Sequence, residues 1–228
     1  MRIIFTLLFI TTLSLSSLSQ TTTSVYGGMN LSTWTGSANK FAKHLVNNTI
    51  GLEWLSKYEF EKEFRFGFTI GFNIEFLISK NAYFQPGISY SQKGTGFTGF
   101  RKNLNTSVER KMKMITNYLE IPLLYKLNIP SGKETFYFFG GPTIGYLIHS
   151  KINFKLDFDI DTYFREMDLE NCSPFQFNLN LGAGIDFCNK FKVEIKYEAG
   201  LSPVFDDNVN KQYNLKNSLF SICFAYHN

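Results

Sequence analysis

The sequence predicts an all-β fold: an eight-stranded antiparallel transmembrane β-barrel with short periplasmic turns and long external loops. Apolar residues recur at every second position along much of the chain, which is the period of a strand with two unlike faces. Segments with this pattern number eight, an even count that an antiparallel ring can close, and the connections between them alternate short and long. The 228 residues, 44% of them hydrophobic, suffice for one sizeable core and a single domain. Phe (25) and Tyr (12) are abundant, whereas helical apolar spacing is scarce after the N-terminus.

The elements follow in chain order. Met1-Arg2, the apolar run Ile3 to Ile10 and small residues near Ser19 read as a secretory signal peptide over 1–19, cleaved before Gln20, with the barrel domain spanning 20–228. A weaker strand lies near 24–33. The second is the most regular: Phe64, Phe66, Phe68, Ile70, Phe72, Ile74, Phe76 and Ile78 alternate with Arg65, Gly67, Thr69, Gly71, Asn73, Glu75 and Leu77. The third sets Phe84, Pro86, Ile88 and Tyr90 against Gln85, Gly87, Ser89 and Ser91; the fourth sets Leu119, Ile121, Leu123, Tyr125 and Leu127 against Glu120 and Lys126. A fifth, weaker strand lies near 135–149. The sixth alternates from Phe175 to Phe187, the seventh sets Phe191, Val193, Ile195 and Tyr197 against Lys192, Glu194, Lys196 and Glu198, and the eighth runs from Leu219 to Tyr226. Short links fall at 79–82, 128–134 and 188–190, and long ones near 34–63, 94–115, 151–172 and 202–216, so both chain ends are expected in the periplasm.

Alternation alone fits a soluble β-sandwich as well, because each design has one apolar face per strand. Three features favour lipid. Glycines crowd the polar face, at Gly67, Gly71, Gly87, Gly141, Gly145, Gly182 and Gly184, where a narrow barrel needs small residues and a solvated sheet does not. The apolar face, with Phe84, Ile88, Val193, Ile195, Phe220, Ile222 and Phe224, is rich in aromatics suited to lipid and interfacial girdles. The polar face mixes charges of both signs: Arg65, Glu75, Glu120, Lys126, Asp186, Lys192, Glu194, Lys196 and Glu198 are the expected lumen charges, able to pair where burial demands it.

Other chemistry is harder to find. The formal net charge of +4 is too mild for nucleic-acid binding. Cys172, Cys188 and Cys223 are an odd set for an exported chain and read as packing thiols, while His44, His149 and His227 lack metal-ligand spacing. Gly94-Thr95-Gly96-Phe97-Thr98-Gly99 has the spacing of a phosphate loop but no apolar helix after it, so an external loop is expected. Asp157, Asp159 and Asp161 resemble the opening of a calcium loop, yet Thr162 stands where glycine is needed; with Ile152, Phe154, Leu156, Phe158 and Ile160 between and before them, they read as the fifth strand extended. His149 near loop acids such as Asp206 or Asp207 makes no triad. No catalytic, cofactor or metal residues are expected, and eight strands leave no aqueous channel.

The segments Tyr90-Ser91-Gln92-Lys93-Gly94 and Asn117-Tyr118-Leu119-Glu120-Ile121-Pro122-Leu123-Leu124, with Gly140-Gly141-Pro142 and Leu181-Gly182-Ala183-Gly184, carry a resemblance to the PorT-like outer-membrane β-barrel family. It covers essentially all of the mature chain. It implies the cell outer membrane as location, lipid and lipopolysaccharide as surroundings, and, for its namesake, a place beside the components of type IX secretion. The ending departs from the common barrel pattern: His227-Asn228 follow Phe224 and Tyr226 where a terminal aromatic is often found. A non-enzymatic barrel with a structural or binding role is expected.

Overall fold

A computed structural model describes residues 21–49, 58–101, 110–157, 162–187 and 190–228. The signal-peptide reading, Cys188, Asp159 and Asp161 lie outside the described residues. The strands are β1 (Thr21–Thr35), β2 (Tyr58–Glu63), β3 (Arg65–Ser79), β4 (Ala82–Arg101), β5 (Arg110–Ser131), β6 (Glu134–Asp157), β7 (Thr162–Asp168), β8 (Phe175–Phe187), β9 (Phe191–Gly200) and β10 (Lys216–His227). Two helices, α1 (Ala38–Thr49) and α2 (Asp207–Tyr213), lie in the long connections.

Every pairing is antiparallel, and the ring closes. β1 pairs with β3 and β10, β3 with β4, β4 with β5, β5 with β6, β6 with β8, β8 with β9 and β9 with β10. β2 continues the line of β3 along β4, and β7 continues that of β8 along β6, so ten segments make a closed eight-stranded ring, with β2 and β7 each paired on one side. At the turn end, Gly132 takes φ 66° between β5 and β6, the left-handed conformation a two-residue hairpin needs.

Within the ring the usual arrangement of a soluble protein is inverted. Phe72, Phe84, Ile88, Ile121, Ile144, Leu181, Ile195 and Ile222 stand exposed on the outside, while Glu75, Gln85, Ser89, Glu120, Lys126, Asn178, Lys192 and Glu198 are buried within. Aromatic rings are accommodated inside because glycine faces them across the ladder: Gly71 opposite Tyr26, Gly184 opposite Tyr137 and Gly182 opposite Phe139. A Cβ on Gly182 would lie 2.2 Å from Phe139 Cζ, so no larger residue fits while that ring stays.

At the loop end the polarity reverts. On β5 the inward series passes from Glu120 to the buried Met114 and Met112, and the outward series from Leu119 to Lys113 and Lys111. On β6 the switch is made by a bulge: Asn117 pairs with His149 but Tyr118 with Leu147, leaving Ile148 unopposed. One extra residue moves the following side chains to the other face. Ile144 and Ile148 therefore point outward, whereas Ile152 and Phe154, of the same parity, are buried.

These extensions correct several expected loops. Gly94 to Gly99 is no loop; it lies inside β4, paired with β2 and β5. The 151–172 connection contains the end of β6 and all of β7, with Asp157 in strand, and the 34–63 connection contains α1 and β2. Longer strands satisfy backbone groups that a loop would leave to water.

Candidate functional site

Two places concentrate chemistry: the ring's interior and the folded cap at its loop end. The interior holds two ionic clusters. In one, Glu75 accepts from Lys126 Nζ at 3.0 and 3.1 Å through its two oxygens and from Lys192 Nζ at 2.5 Å, drawing β3, β5 and β9 together. Lys126 Nζ also sits 4.0 Å from the centroid of Tyr137, whose hydroxyl donates to Glu194 Oε1 at 3.0 Å. In the other, Lys93 of β4 bridges Glu120 of β5 and Glu198 of β9, and all three are buried.

The remaining expected lumen charges sit apart. Asp186 meets His227 at 2.9 Å near the turn end, which places His227 inside the ring. Arg65 is buried toward the loop end, donating to the Lys93 carbonyl oxygen at 3.0 Å and to Gln92 Oε1 at 2.7 Å rather than to a carboxylate. Lys196 is half-buried and stands opposite Ser221 and Gly182. Lys93 and Tyr137 were missing from the expected set. Lys93 continues the inward series Gln85, Ser89, Ser91, so alternation alone marks it.

Charges balance in this interior. Lys93, Lys126, Lys192 and Lys196 stand against Glu75, Glu120, Glu194 and Glu198. Compensation of this kind is what permits burial, since an unpaired ion in low dielectric is costly.

The cap is built around an apolar cluster of Trp34, Phe41, Phe97, Met112, Phe154 and Phe205 among others. α1 contributes Ala38, Phe41, Ala42, Leu45 and Val46, the spacing of one helical face. The residue just before it is tied down where the Ser37 amide donates to the Tyr213 carbonyl oxygen at 2.9 Å. Phe205 packs on Phe41 with ring centroids 4.7 Å apart and meets Trp34 edge-on at 5.4 Å. Between α1, β6, β7 and α2 lies a cleft of about 270 Å³ with Phe41, Leu45, Ile152 and Phe154 in its wall and His44, Asp168 and Glu170 among its lining. Burial pushes the nearby Cys172 thiol up to about 11. Among the described residues no group of His, Cys, Asp and Glu has the arrangement of a metal site.

A ring that is apolar outside and charged inside suits only a bilayer, and the sequence comparison agrees: residues 16–206 match the outer membrane protein beta-barrel domain. The chain belongs to that family. This outer membrane barrel therefore crosses the membrane with its strands, its outward apolar band against lipid. No curated protein matches the chain. Among solved structures it is similar to Ail, the attachment invasion locus protein of Yersinia pestis, at 11% identity and a TM-score of 0.41 over 92% of this chain and 99% of that one. It is also similar to Neisserial surface protein A at 10% identity and TM-score 0.38, covering 90% and 96% of the two chains. A third is the N-terminal β-barrel domain of Pseudomonas aeruginosa OprF, at 8% identity and TM-score 0.33, covering 90% and 97%.

Proposed function

We propose that this outer-membrane barrel is a non-enzymatic protein closed to solutes, acting by binding at its folded external cap. The observation that carries this is the division of the molecule. The interior is occupied by paired charges and aromatic rings, whereas the loop end builds helices, strand extensions and an apolar core into a folded surface with a cleft. Loops that served only as connections would not need such a core. The nine charges expected in the lumen, together with Lys93, are the plug in this reading, and lipid and lipopolysaccharide surround the wall.

Purification from outer membranes in mild detergent, followed by identification of what stays bound, tests the proposal. A stoichiometric companion lost on substituting cap residues supports it. Measurable conductance of small ions through the reconstituted barrel contradicts the closed interior.

A narrower reading, an accessory of a type IX-like secretion system, rests on the PorT-like segments. Their register is informative: Tyr90, Ser91 and Gln92 pair with Leu119, Tyr118 and Asn117, and Gly140 to Pro142 pair with Leu181 to Leu179. They are neighbouring parts of the barrel wall, so they speak for the wall more than for an activity. Loss of cargo export on deletion of the gene, restored by the native chain but not by one with a disrupted cap, is the outcome this reading requires.

A further inference from the structure

The lipid-facing side of the ring is not evenly filled. Between β1, β3 and β10 runs a furrow of about 380 Å³, bounded by Phe66, Phe220, Ile222 and Phe224 with Met29 and Leu31 along β1. Asn30 contributes to its lining, but that side chain is buried inward, its amide 3.5 Å from Ser91 Oγ.

The register places Gly27 opposite both Phe224 and Ile70, so two bulky outward residues flank a position with no side chain. Glycine in a strand interior ordinarily weakens it, and is kept where something approaches closely or the backbone demands it. Neither internal reason applies. Its φ is not in the left-handed region, and a Cβ there would come no nearer than 3.8 Å to any atom, the Thr69 carbonyl oxygen. Its neighbour Gly28, facing inward, differs: a Cβ would lie 2.3 Å from the Ile222 carbonyl oxygen. The missing side chain at position 27 therefore shapes the outer surface alone.

We infer that this furrow holds one acyl chain of an outer-membrane lipid. It is continuous with the lipid-facing band, for Val25, Met29, Phe66, Phe68, Ile70 and Phe224 around it are exposed. A hydrocarbon chain matches a narrow apolar furrow and restores the dispersion contacts that an unfilled gap forfeits. A folded protein partner would need about 800 Å² of matched surface on each side, far more than these residues offer.

The test is native mass spectrometry of the full chain extracted from outer membranes in mild detergent, reading the lipid-bound fraction. The native barrel is expected to carry one tightly held lipid, and Gly27→Leu, which closes the gap beside Phe224 at the furrow's end, to lower the bound fraction by about tenfold or more. Ala183→Leu, an outward enlargement on β8, should leave it unchanged. Lipid-free native barrels, equal retention in Gly27→Leu, or a dimer joined through this face would each overturn the inference. Should Gly27→Leu fail to give a heat-modifiable folded band, Met29→Phe narrows the same furrow and carries the same expectations. Neither outcome touches binding at the cap.

Discussion

Lys93 touches two glutamates from two other strands, and its removal leaves both carboxylates buried without their cation. Lys93→Met is expected to destabilise the barrel by about 3–5 kcal/mol, and adding Glu120→Gln to recover part of that loss. Urea unfolding in detergent micelles reads both. Gly182 is constrained differently: Gly182→Val drives a Cβ into the Phe139 ring, an overpacking that should cost about 1–3 kcal/mol and be relieved only in part by Phe139→Leu in the same titration, because that Cβ would also lie 2.7 Å from the Ile195 carbonyl oxygen. At Cys172 the raised thiol pKa of about 11 leaves little thiolate at neutral pH. Maleimide should label it slowly at pH 7 in the folded protein and faster as pH rises toward that value; fast labelling at pH 7 would contradict its burial. Lys93 shows what was legible at this scale. Its side of the strand follows from Ser89 and Ser91, but Gly94 and Gly96 just beyond read as a loop and hide an alternation that continues to Phe97.

At the scale of elements, strands inside the membrane were legible because lipid outside and paired charge inside impose the strictest alternation. Outside the membrane that constraint lapses. The bulge at Ile148 leaves no mark in Leu147-Ile148-His149, yet it decides that Ile152 and Phe154 enter the cap instead of facing outward. α1 was not legible in the long link 34–63, since twelve residues make a marginal helix without the surface they pack on. Phe41→Ala should cost the cap about 3–5 kcal/mol, seen as a red shift of Trp34 emission in a Trp54→Phe background.

For the whole molecule, closure and inversion go together. A ring without edges satisfies its backbone in hydrocarbon, and only then can apolar side chains face outward and charges inward. The fold class was legible because both conditions write themselves into alternation and connection length. The cap's cleft was not, because it assembles from α1, β6, β7 and α2, segments far apart in sequence. Ile195→Arg should destabilise the barrel by about 2–4 kcal/mol if that site lies near the midplane, as measured by unfolding in lipid vesicles.

The inversion itself is tested most directly by spin labels placed singly from Phe191 to Glu198 on β9, in a background with Cys172, Cys188 and Cys223 replaced by serine and the protein reconstituted in lipid. Collision with dissolved oxygen should be high at 191, 193, 195 and 197 and low at 192, 194, 196 and 198, with a polar nickel reagent excluded throughout. Access of the nickel reagent to either series would contradict a closed barrel with its apolar face in lipid.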